Sequence, residues 1–200
     1  MNFLAIDTSG QHLTVIIEYN GVTEIVYEPT CGVDHSTRLM PAVESAVNKV
    51  NASLSEMDFF ACAVGAGSFT GIRIGVSAIK AFAFAFNKKC LGVTSFDTIA
   101  YNIDKEKVLA VIDAKHDNYY VCGYHNKKVA LSPCFITQEE LEKLKSEYFL
   151  ASFTEIDGAE IVNPSTGLYS AVKENFANAS EDINSVKPLY IRKSQAEEGR

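Results

Sequence analysis

The chain has 200 residues, a formal net charge of −7 and an apolar fraction of 47%. This length and composition are typical of one large globular domain or two small ones, and they exclude an intrinsically disordered chain. Residues 1–100 carry six basic and nine acidic side chains, and residues 101–200 carry twelve and sixteen. An acidic balance spread so evenly argues against a protein that holds nucleic acid alone, because such proteins concentrate lysine and arginine.

The sequence predicts a cytoplasmic chain without membrane segments. Its N-terminus, "MNFLAIDTSG", lacks the basic start of a signal peptide. The apolar stretches around 59–72 and 81–86 are too short or too glycine-rich to span a bilayer. Five cysteines form no CxxC or other close pair, which predicts reduced and mostly buried thiols rather than a zinc site or a disulfide framework.

The first half alternates strand and helix patterns. "NFLAID" predicts a buried strand, and "HLTVIIEYN-GVTEIVYE" predicts a hairpin that turns at Asn20-Gly21. Apolar residues recur at helical spacing over 36–50, where Pro41 is expected only within the first turn. A strand at "FFACAVG", a helix over 70–87 and a strand at "KCLGVTS" complete this half.

The second half repeats the pattern more loosely. "KVLAVIDA" and "NYYVCGYHN-KKVALS" predict strands with another hairpin, and Asp113 follows its strand as Asp7 follows the first one. Thr137 and Glu140 have capping-box spacing and predict a helix start. "YFLASF" predicts a strand, 165–178 a helix, and "KPLYIRKSQAEEGR" a frayed tail. The whole pattern predicts two α/β lobes, 1–98 and 99–200.

The glycine-rich stretch "VGAGSFTGIRIG" lies between a strand and a helix, where nucleotide phosphates often bind. It fits neither GxxxxGK[ST] nor GxGxxG, so neither standard nucleotide loop is present, although amides at the helix start can still attract an anion. Gly67, Gly71 and Gly75 recur every four residues, and a glycine inside a helix costs about 1 kcal/mol relative to alanine. With the largely apolar circumference of this helix, they predict that helices 36–50 and 70–87 form a protein–protein interface.

Other polar residues are open to two interpretations each. Asp7, with the hydroxyls of Thr8 and Ser9, can hold a magnesium–phosphate group or simply cap a turn. His35 stands at a helix start, where a capping role is expected, and 116–117 can be a base and its orienter or a solvated loop. The four histidines show neither HxxxH nor HxxH spacing, so no zinc pair is predicted.

Six segments resemble the motifs of the TsaB (YeaZ) family in their order along the chain. They are "LAIDTSG", "HSTRLMPAVESAV", "GAGSFTGIRIGVSAIKAFAF", "GVTSFDTIA", "VIDAKHDNYYVCGY" and "PLYIRKSQAE", and "GSFTGIRIG" is the most specific part. The resemblance runs from residue 1 to about 198. It implies an α/β fold of two ribonuclease-H-like lobes, the architecture of the actin, sugar kinase and Hsp70 superfamily, and a part in making threonylcarbamoyladenosine in tRNA.

The resemblance also implies a set of partners. Members of the family are non-catalytic partners of TsaD, which carries the metal and transfers the threonylcarbamoyl group, while TsaE supplies ATPase activity. Where TsaD has an HxxxH, this chain has Ser95 and Ile99, which implies that it binds no metal. tRNA is expected to bind only through the complex, and no cofactor is implied beyond ATP or ADP at a subunit junction, for which Asp7, Thr8 and Ser9 are the candidates.

Family members contact TsaD through first-lobe helices, and isolated members form homodimers with the same surface. Carried onto this chain, the partner-binding residues are His35, Leu39, Val43, Ala46, Val47, Gly67, Ser68, Phe69, Thr70, Gly71, Arg73, Ile74, Gly75, Ala78 and Phe82. The chain departs from the family at Ala66, where proline is common, and at 113–115, where it reads DAK rather than DAR.

Two alternatives stay open at this point. An ATP-binding phosphotransferase or glycoprotease-like peptidase of the same superfamily predicts tight magnesium-dependent ATP binding that is lost in Asp7→Ala. A homodimeric binding protein with no part in tRNA modification predicts no affinity for TsaD.

Overall fold

Two five-stranded sheets organise residues 1–192, which are the residues that the computed structural model describes. The first sheet has the order β3-β2-β1-β4-β5 and the second β10-β9-β6-β7-β8. The strands are β1 Phe3–Asp7, β2 Leu13–Tyr19, β3 Val22–Glu28, β4 Phe59–Ala63, β5 Lys89–Val93, β6 Lys107–Asp113, β7 Asn118–His125, β8 Lys128–Thr137, β9 Phe149–Ser152 and β10 Ala159–Ile161. The helices are α1 His35–Lys49, α2 Phe69–Phe86, α3 Ser95–Ala100, α4 Gln138–Leu144 and α5 Pro164–Asn175.

The two sheets share one topology, which confirms the predicted internal repeat. In the first, β1 is antiparallel to β2 and parallel to β4, and in the second β6 is antiparallel to β7 and parallel to β9. Asp7 ends β1 and Asp113 ends β6, and each carboxylate accepts a backbone N–H two residues further on, at 2.8 and 2.7 Å. The molecule is therefore a mixed α/β protein of two related lobes.

Short-range sequence signals produce the elements that they predict. Asn20 and Gly21 both have positive φ, at 50° and 80°, as the two-residue turn between β2 and β3 requires. At the start of α4, the Thr137 hydroxyl accepts the Glu140 N–H while the Glu140 carboxylate accepts the Thr137 N–H, which completes the predicted capping box. These signals act over a few residues, so the rest of the fold does not override them.

The start of α1 differs from the prediction in two ways. Pro41 lies in the helix interior rather than in the first turn, because the helix already begins at His35. Pro41 and Thr37 are both exposed, so the helical hydrogen bond that Pro41 cannot donate to Thr37 is missing on the outer side of the helix. His35 does not cap the helix; its ring is buried, with Nε2 lying 2.9 Å from the carbonyl oxygen of His12.

Helices cover both faces of the first sheet. Leu4 and Ile6 of β1 pack in one core with α1 and α2, while Phe3 and Ala5 pack in another with α5. The first lobe therefore takes α5 from the second half of the sequence, which the division into 1–98 and 99–200 does not describe. A sheet with apolar side chains on both faces needs a helical layer on each, and the first half of the chain supplies only one.

A polar contact fixes α5 on the sheet. The buried carboxylate of Glu18 on β2 accepts hydrogen bonds from the Tyr169 hydroxyl at 2.7 Å and the Lys173 ammonium at 2.9 Å. Burial opposes ionisation of Glu18, but these two donors and the charge of Lys173 hold its pKa below the usual value. These hydrogen bonds thus hold α5 against β2, although the residues that form them are more than 150 positions apart in the sequence.

The C-terminal segment lies against both lobes. The Leu189 N–H donates to the carbonyl of Val64 at 2.7 Å, and Leu189 packs in the cores of both sheets. The Tyr190 ring stacks on Phe69 of α2 at 4.5 Å, and its hydroxyl accepts a hydrogen bond from Arg73 Nε at 2.8 Å. The predicted frayed tail is therefore packed as far as residue 192, and its remainder, 193–200, lies outside the described residues.

Helix α2 corrects the expectation about membrane spans. Its 18 residues contain the last four residues of the first apolar stretch and the whole of the second. With a mean hydropathy of 1.4, the helix is long and apolar enough, by length and composition, to cross a bilayer. The core helix of a globular lobe meets the same two criteria, and α2 packs on β1, β4 and β5. About a third of its residues are buried inside the protein.

Candidate functional site

The end of β1 and the loop after it form the junction between the lobes, and their side chains are almost completely buried. Asp7, Thr8 and Ser9 are 0%, 1% and 2% exposed. The Thr8 hydroxyl donates to the carbonyl of Gly71 at 2.7 Å, and the Ser95 hydroxyl donates to that of Ser9 at 2.9 Å. This loop therefore connects the start of α2 with the start of α3 through its own side chains.

A buried ion pair lies beside this loop. Oδ2 of Asp7 is 3.1 Å from Nε2 of His12, close enough for an ion pair but without the alignment of a hydrogen bond. Burial opposes ionisation of Asp7, but the electrostatic attraction of the neighbouring His12 and the hydrogen-bond donors of Ser9 outweigh it and hold the Asp7 pKa below its ordinary value of 3.8. The His12 ring also meets the edge of Phe153 in the second lobe, with centroids 5.2 Å apart. The pair is thus part of the contact between the lobes.

The side chains proposed to bind a nucleotide, those of Asp7, Thr8 and Ser9, contact other groups of the chain in this structure. A magnesium–phosphate site requires carboxylate and hydroxyl oxygens that face an open space. Here Asp7 faces His12, and the hydroxyls of Thr8 and Ser9 bond to groups of the chain itself. In this arrangement the side chains of Asp7, Thr8 and Ser9 make contacts within the chain and connect the lobes.

The glycines of α2 do allow a close backbone contact, but its partner is the loop after β1 of the same chain. The prediction that these glycines indicate a contact with another chain is therefore wrong in its reasoning. A Cβ on Gly67 would lie 2.2 Å from the Ser9 carbonyl oxygen, and one on Gly71 would lie 1.9 Å from that of Thr8. A Cβ on Gly75 would lie 2.8 Å from the Thr8 hydroxyl oxygen. The glycines let α2 approach the loop after β1, and helical spacing alone cannot distinguish that neighbour from another chain.

The predicted partner residues divide into three groups by burial. His35, Leu39, Val43, Ala46, Gly71 and Gly75 are buried, and the apolar ones on α1 belong to the core that this helix forms with its own sheet. The half-buried ones are Val47, Gly67, Phe69, Ile74, Ala78 and Phe82, and the exposed ones are Ser68, Thr70 and Arg73. The buried stripe of α1 stabilises the lobe, so a partner can meet only the second and third groups.

The outer face of α2 carries apolar side chains that the sequence prediction left out. Phe84 is 78% exposed, and Ala81 and Ala85 on the same side of the helix are exposed with it. Met40, on the neighbouring helix α1, is 50% exposed. Phe84 interrupts an otherwise polar strip in the sequence, and that interruption is the signal that could have identified this face.

Residues Ser95 and Ile99 occupy buried positions without ligand chemistry. Ser95 bonds to Ser9, and Ile99 packs in the core of the second lobe. Within residues 1–192, no group of three or more histidine, cysteine or acidic side chains is placed to hold a metal ion. The loop at His116 and Asp117 is exposed, and both residues have positive φ, at 55° each. It is a solvated turn in which no base and orienter are brought together.

Comparisons with known proteins place this fold in a family. The family model described as TsaD, tRNA N6-adenosine threonylcarbamoyltransferase, matches residues 29–163, two thirds of the chain. The protein named "tRNA threonylcarbamoyladenosine biosynthesis protein TsaB" from Bacillus subtilis is 28% identical, over 98% of this chain and 96% of its own length. Its namesake from Escherichia coli is 30% identical, over 62% of this chain and 55% of its own.

A solved structure has the same fold. YeaZ from Pseudomonas aeruginosa superposes with a TM-score of 0.79 at 24% identity, covering 94% of this chain and 99% of the other. The family match, the named relatives and this architecture agree with the motifs of the sequence. The chain therefore belongs to the TsaB (YeaZ) family, within the group that the TsaD family model describes.

Proposed function

We propose that the chain is a non-catalytic subunit that binds and supports a TsaD-type catalytic subunit, with a TsaE-type ATPase, in threonylcarbamoyladenosine modification of tRNA. The names of the relatives from Bacillus subtilis and Escherichia coli support the pathway. The match to a family model named for the transferase supports a partner built on the same fold, because related folds offer related surfaces to each other.

The exposed face of α2 is the observation that carries the binding role. Phe84 is 78% exposed, and with the exposed Ala81 and Ala85 beside it on the helix it forms an apolar patch of the kind that marks a protein–protein contact. The half-buried Ile74, Ala78 and Phe82 lie on the same helix and are available at the edges of this face. When the catalytic subunit is absent, a second copy of the chain is expected to cover the face.

The non-catalytic part of the proposal is supported by how the lobe junction is built. A nucleotide-binding enzyme that used the carboxylate at the end of β1 would need it to face a magnesium–phosphate group. Here Oδ2 of Asp7 lies 3.1 Å from Nε2 of His12. Ser95 likewise bonds to Ser9 rather than facing an open site. Both groups are thus engaged in contacts within the chain.

The variant Phe84→Glu tests the binding role. A buried carboxylate without a partner is costly at an interface, so we expect about 30- to 100-fold weaker binding to the TsaD-type subunit, equivalent to roughly 2–3 kcal/mol. Isothermal titration of the two purified chains measures the change.

Phe176→Glu is the matched control, because Phe176 is also an exposed phenylalanine, at 52%, but follows α5 on the opposite side of the first sheet. Its dissociation constant should match that of the wild type. If both variants weakened binding equally, or if neither weakened it, the proposal that α2 forms the interface would be wrong.

A further inference from the structure

Four lysines meet at one end of the second sheet although they come from two separate parts of the sequence. Lys107 begins β6, Lys128 begins β8, Lys127 lies in the turn before β8, and Lys105 lies two residues before β6. In the register of the sheet, Lys107 pairs with His125 and His125 pairs with Lys128. Strands lie about 4.8 Å apart, so the two lysines are about 10 Å apart across three strands. We call this group the lysine end.

The lysine end forms no salt bridge within residues 1–192. All four side chains are exposed, and none forms an ion pair with a carboxylate of residues 1–192. Lys105 and Lys127 lie instead over the rings of Phe149 and Tyr101, with Nζ 5.7 and 5.4 Å from the ring centroids. The adjacent carboxylate of Glu106 is engaged with His125 at 2.7 Å, which leaves Asp104 as the other acidic residue between α3 and β6.

The hairpin turn retains a lysine where a glycine would be more stable. Asn126 and Lys127 have φ of 50° and 60° in a two-residue turn, the conformation that Asn20 and Gly21 adopt in the first lobe. A residue with a Cβ in this position costs about 1 kcal/mol relative to glycine. A local cost of this kind, at the centre of an unpaired basic group, points to a role for the side chain.

The chemistry of the group favours phosphate as its ligand. A lysine ammonium is a compact charge on a flexible stem and can contact the single oxygens of a phosphate as a point charge. A row of ammonium groups about 10 Å long suits a ligand that repeats its charge, as a nucleic-acid backbone does. In a chain of net charge −7, such a group also marks the side from which a polyanion can approach.

We infer that the lysine end contacts the phosphate backbone of the tRNA directly when the chain acts in the modification complex. This rests on the proposed function and deepens it, because the sequence alone indicates contact with tRNA only through the other subunits. The contact adds affinity and orientation without reading sequence.

The test replaces Lys105, Lys107, Lys127 and Lys128 together by glutamine. A control with the same change in net charge replaces four exposed lysines elsewhere, namely Lys89, Lys115, Lys143 and Lys187. In transfer assays at a saturating concentration of the chain, we expect the first variant to raise the KM for unmodified tRNA transcript about tenfold. When the binding constant for tRNA is measured at several salt concentrations, the plot of its logarithm against log salt should become less steep by about two or more for this variant. The control should stay within about twofold of the wild type.

Two further measurements separate the inference from the proposed function. Fluorescence anisotropy of the same transcript with the chain alone at low salt should show weaker binding for the lysine-end variant than for the control, whether or not the chain supports transfer. Lys127→Gly should raise the stability of the chain and still weaken binding, which a merely structural lysine would not do.

Equal tRNA binding by the lysine-end variant and the control would overturn the inference while leaving a chain-dependent transfer reaction intact. The inference would also be overturned if a higher concentration of the lysine-end variant were needed to saturate the catalytic subunit while the KM for tRNA stayed unchanged. That result would indicate that the lysines bind an acidic surface of a protein partner.

Discussion

Gly71→Ala will destabilise the chain by about 3 kcal/mol, at the upper end of the cost of overpacking a core. The added Cβ would lie 1.9 Å from the carbonyl oxygen of Thr8, which is backbone and cannot rotate away. The start of α2 would have to move from the loop after β1 and lose the hydrogen bond between the Thr8 hydroxyl and the Gly71 carbonyl. Urea unfolding followed by circular dichroism measures the loss.

Two variants on the same helix set the scale for this result. Gly75→Ala should cost less, because its Cβ would meet the Thr8 hydroxyl, which can rotate, at 2.8 Å. Thr70→Ala, at an exposed neighbouring position, should change stability by less than about 0.5 kcal/mol. If Gly71→Ala left stability unchanged and abolished only partner binding, the glycine face would belong to an intermolecular contact after all.

Asp7→Ala is expected to cost about 3–5 kcal/mol, the range for removing one member of a buried ion pair. Asp7 is fully buried, and its loss leaves the ring of His12, only 4% exposed, without its charged neighbour. It also removes the acceptor of the Ser9 N–H, which lies 2.8 Å from Oδ1. Asp7→Asn keeps the shape and should cost less. Glu24→Gln, which breaks the partly exposed pair with Lys49, is the control and should cost less than about 1 kcal/mol.

The same pair predicts how stability depends on acid. Because the Asp7 pKa is lowered in the folded chain, its contribution is fully present above the ordinary value of 3.8. The contribution is lost as pH falls through the lower, folded-state pKa, so the stability gap between wild type and Asp7→Asn should narrow below pH 3.8. If the difference in unfolding free energy between wild type and Asp7→Asn stayed constant down to the acid unfolding transition, the charge of Asp7 would make no contribution to stability.

Asp7→Ala also separates the proposed role from an enzyme of the actin-like group. We expect no tight magnesium-dependent binding of ATP by the wild-type chain in isothermal titration. Tight binding that Asp7→Ala abolished without loss of stability would instead make Asp7 a ligand of the nucleotide.

Local sequence patterns predicted the elements of the fold, and long-range packing decided what they could not. The turn at Asn20-Gly21 and the capping box at Thr137 depend on neighbours in sequence, so they could be located in advance. The return of α5 to the first sheet could not, because its apolar stripe would fit either lobe. The position of Pro41 depends on where α1 begins, and the helix begins at His35, so the proline lies in its exposed interior rather than in the first turn.

The candidate sites show the same limit. Apolar spacing identified the stripe that contains Leu39 and Val43, but it could not show whether this stripe packs in the core or meets a partner. In the structure it packs in the core. His12 carried no motif, although the fold brings it to Asp7. The lysine end was invisible in the sequence because about twenty residues separate Lys107 from Lys128, and a strand pairing brings them together. Each of these features depends on contacts that no short window of sequence contains.

The most direct test of the account is threonylcarbamoyl transfer to tRNA by TsaC-, TsaD- and TsaE-type proteins from the same organism, with and without this chain. We expect modified tRNA to form only when the chain is added, at a rate that saturates with its concentration, and the chain alone to be inert. An equal rate of transfer without the chain would contradict its role as a supporting subunit.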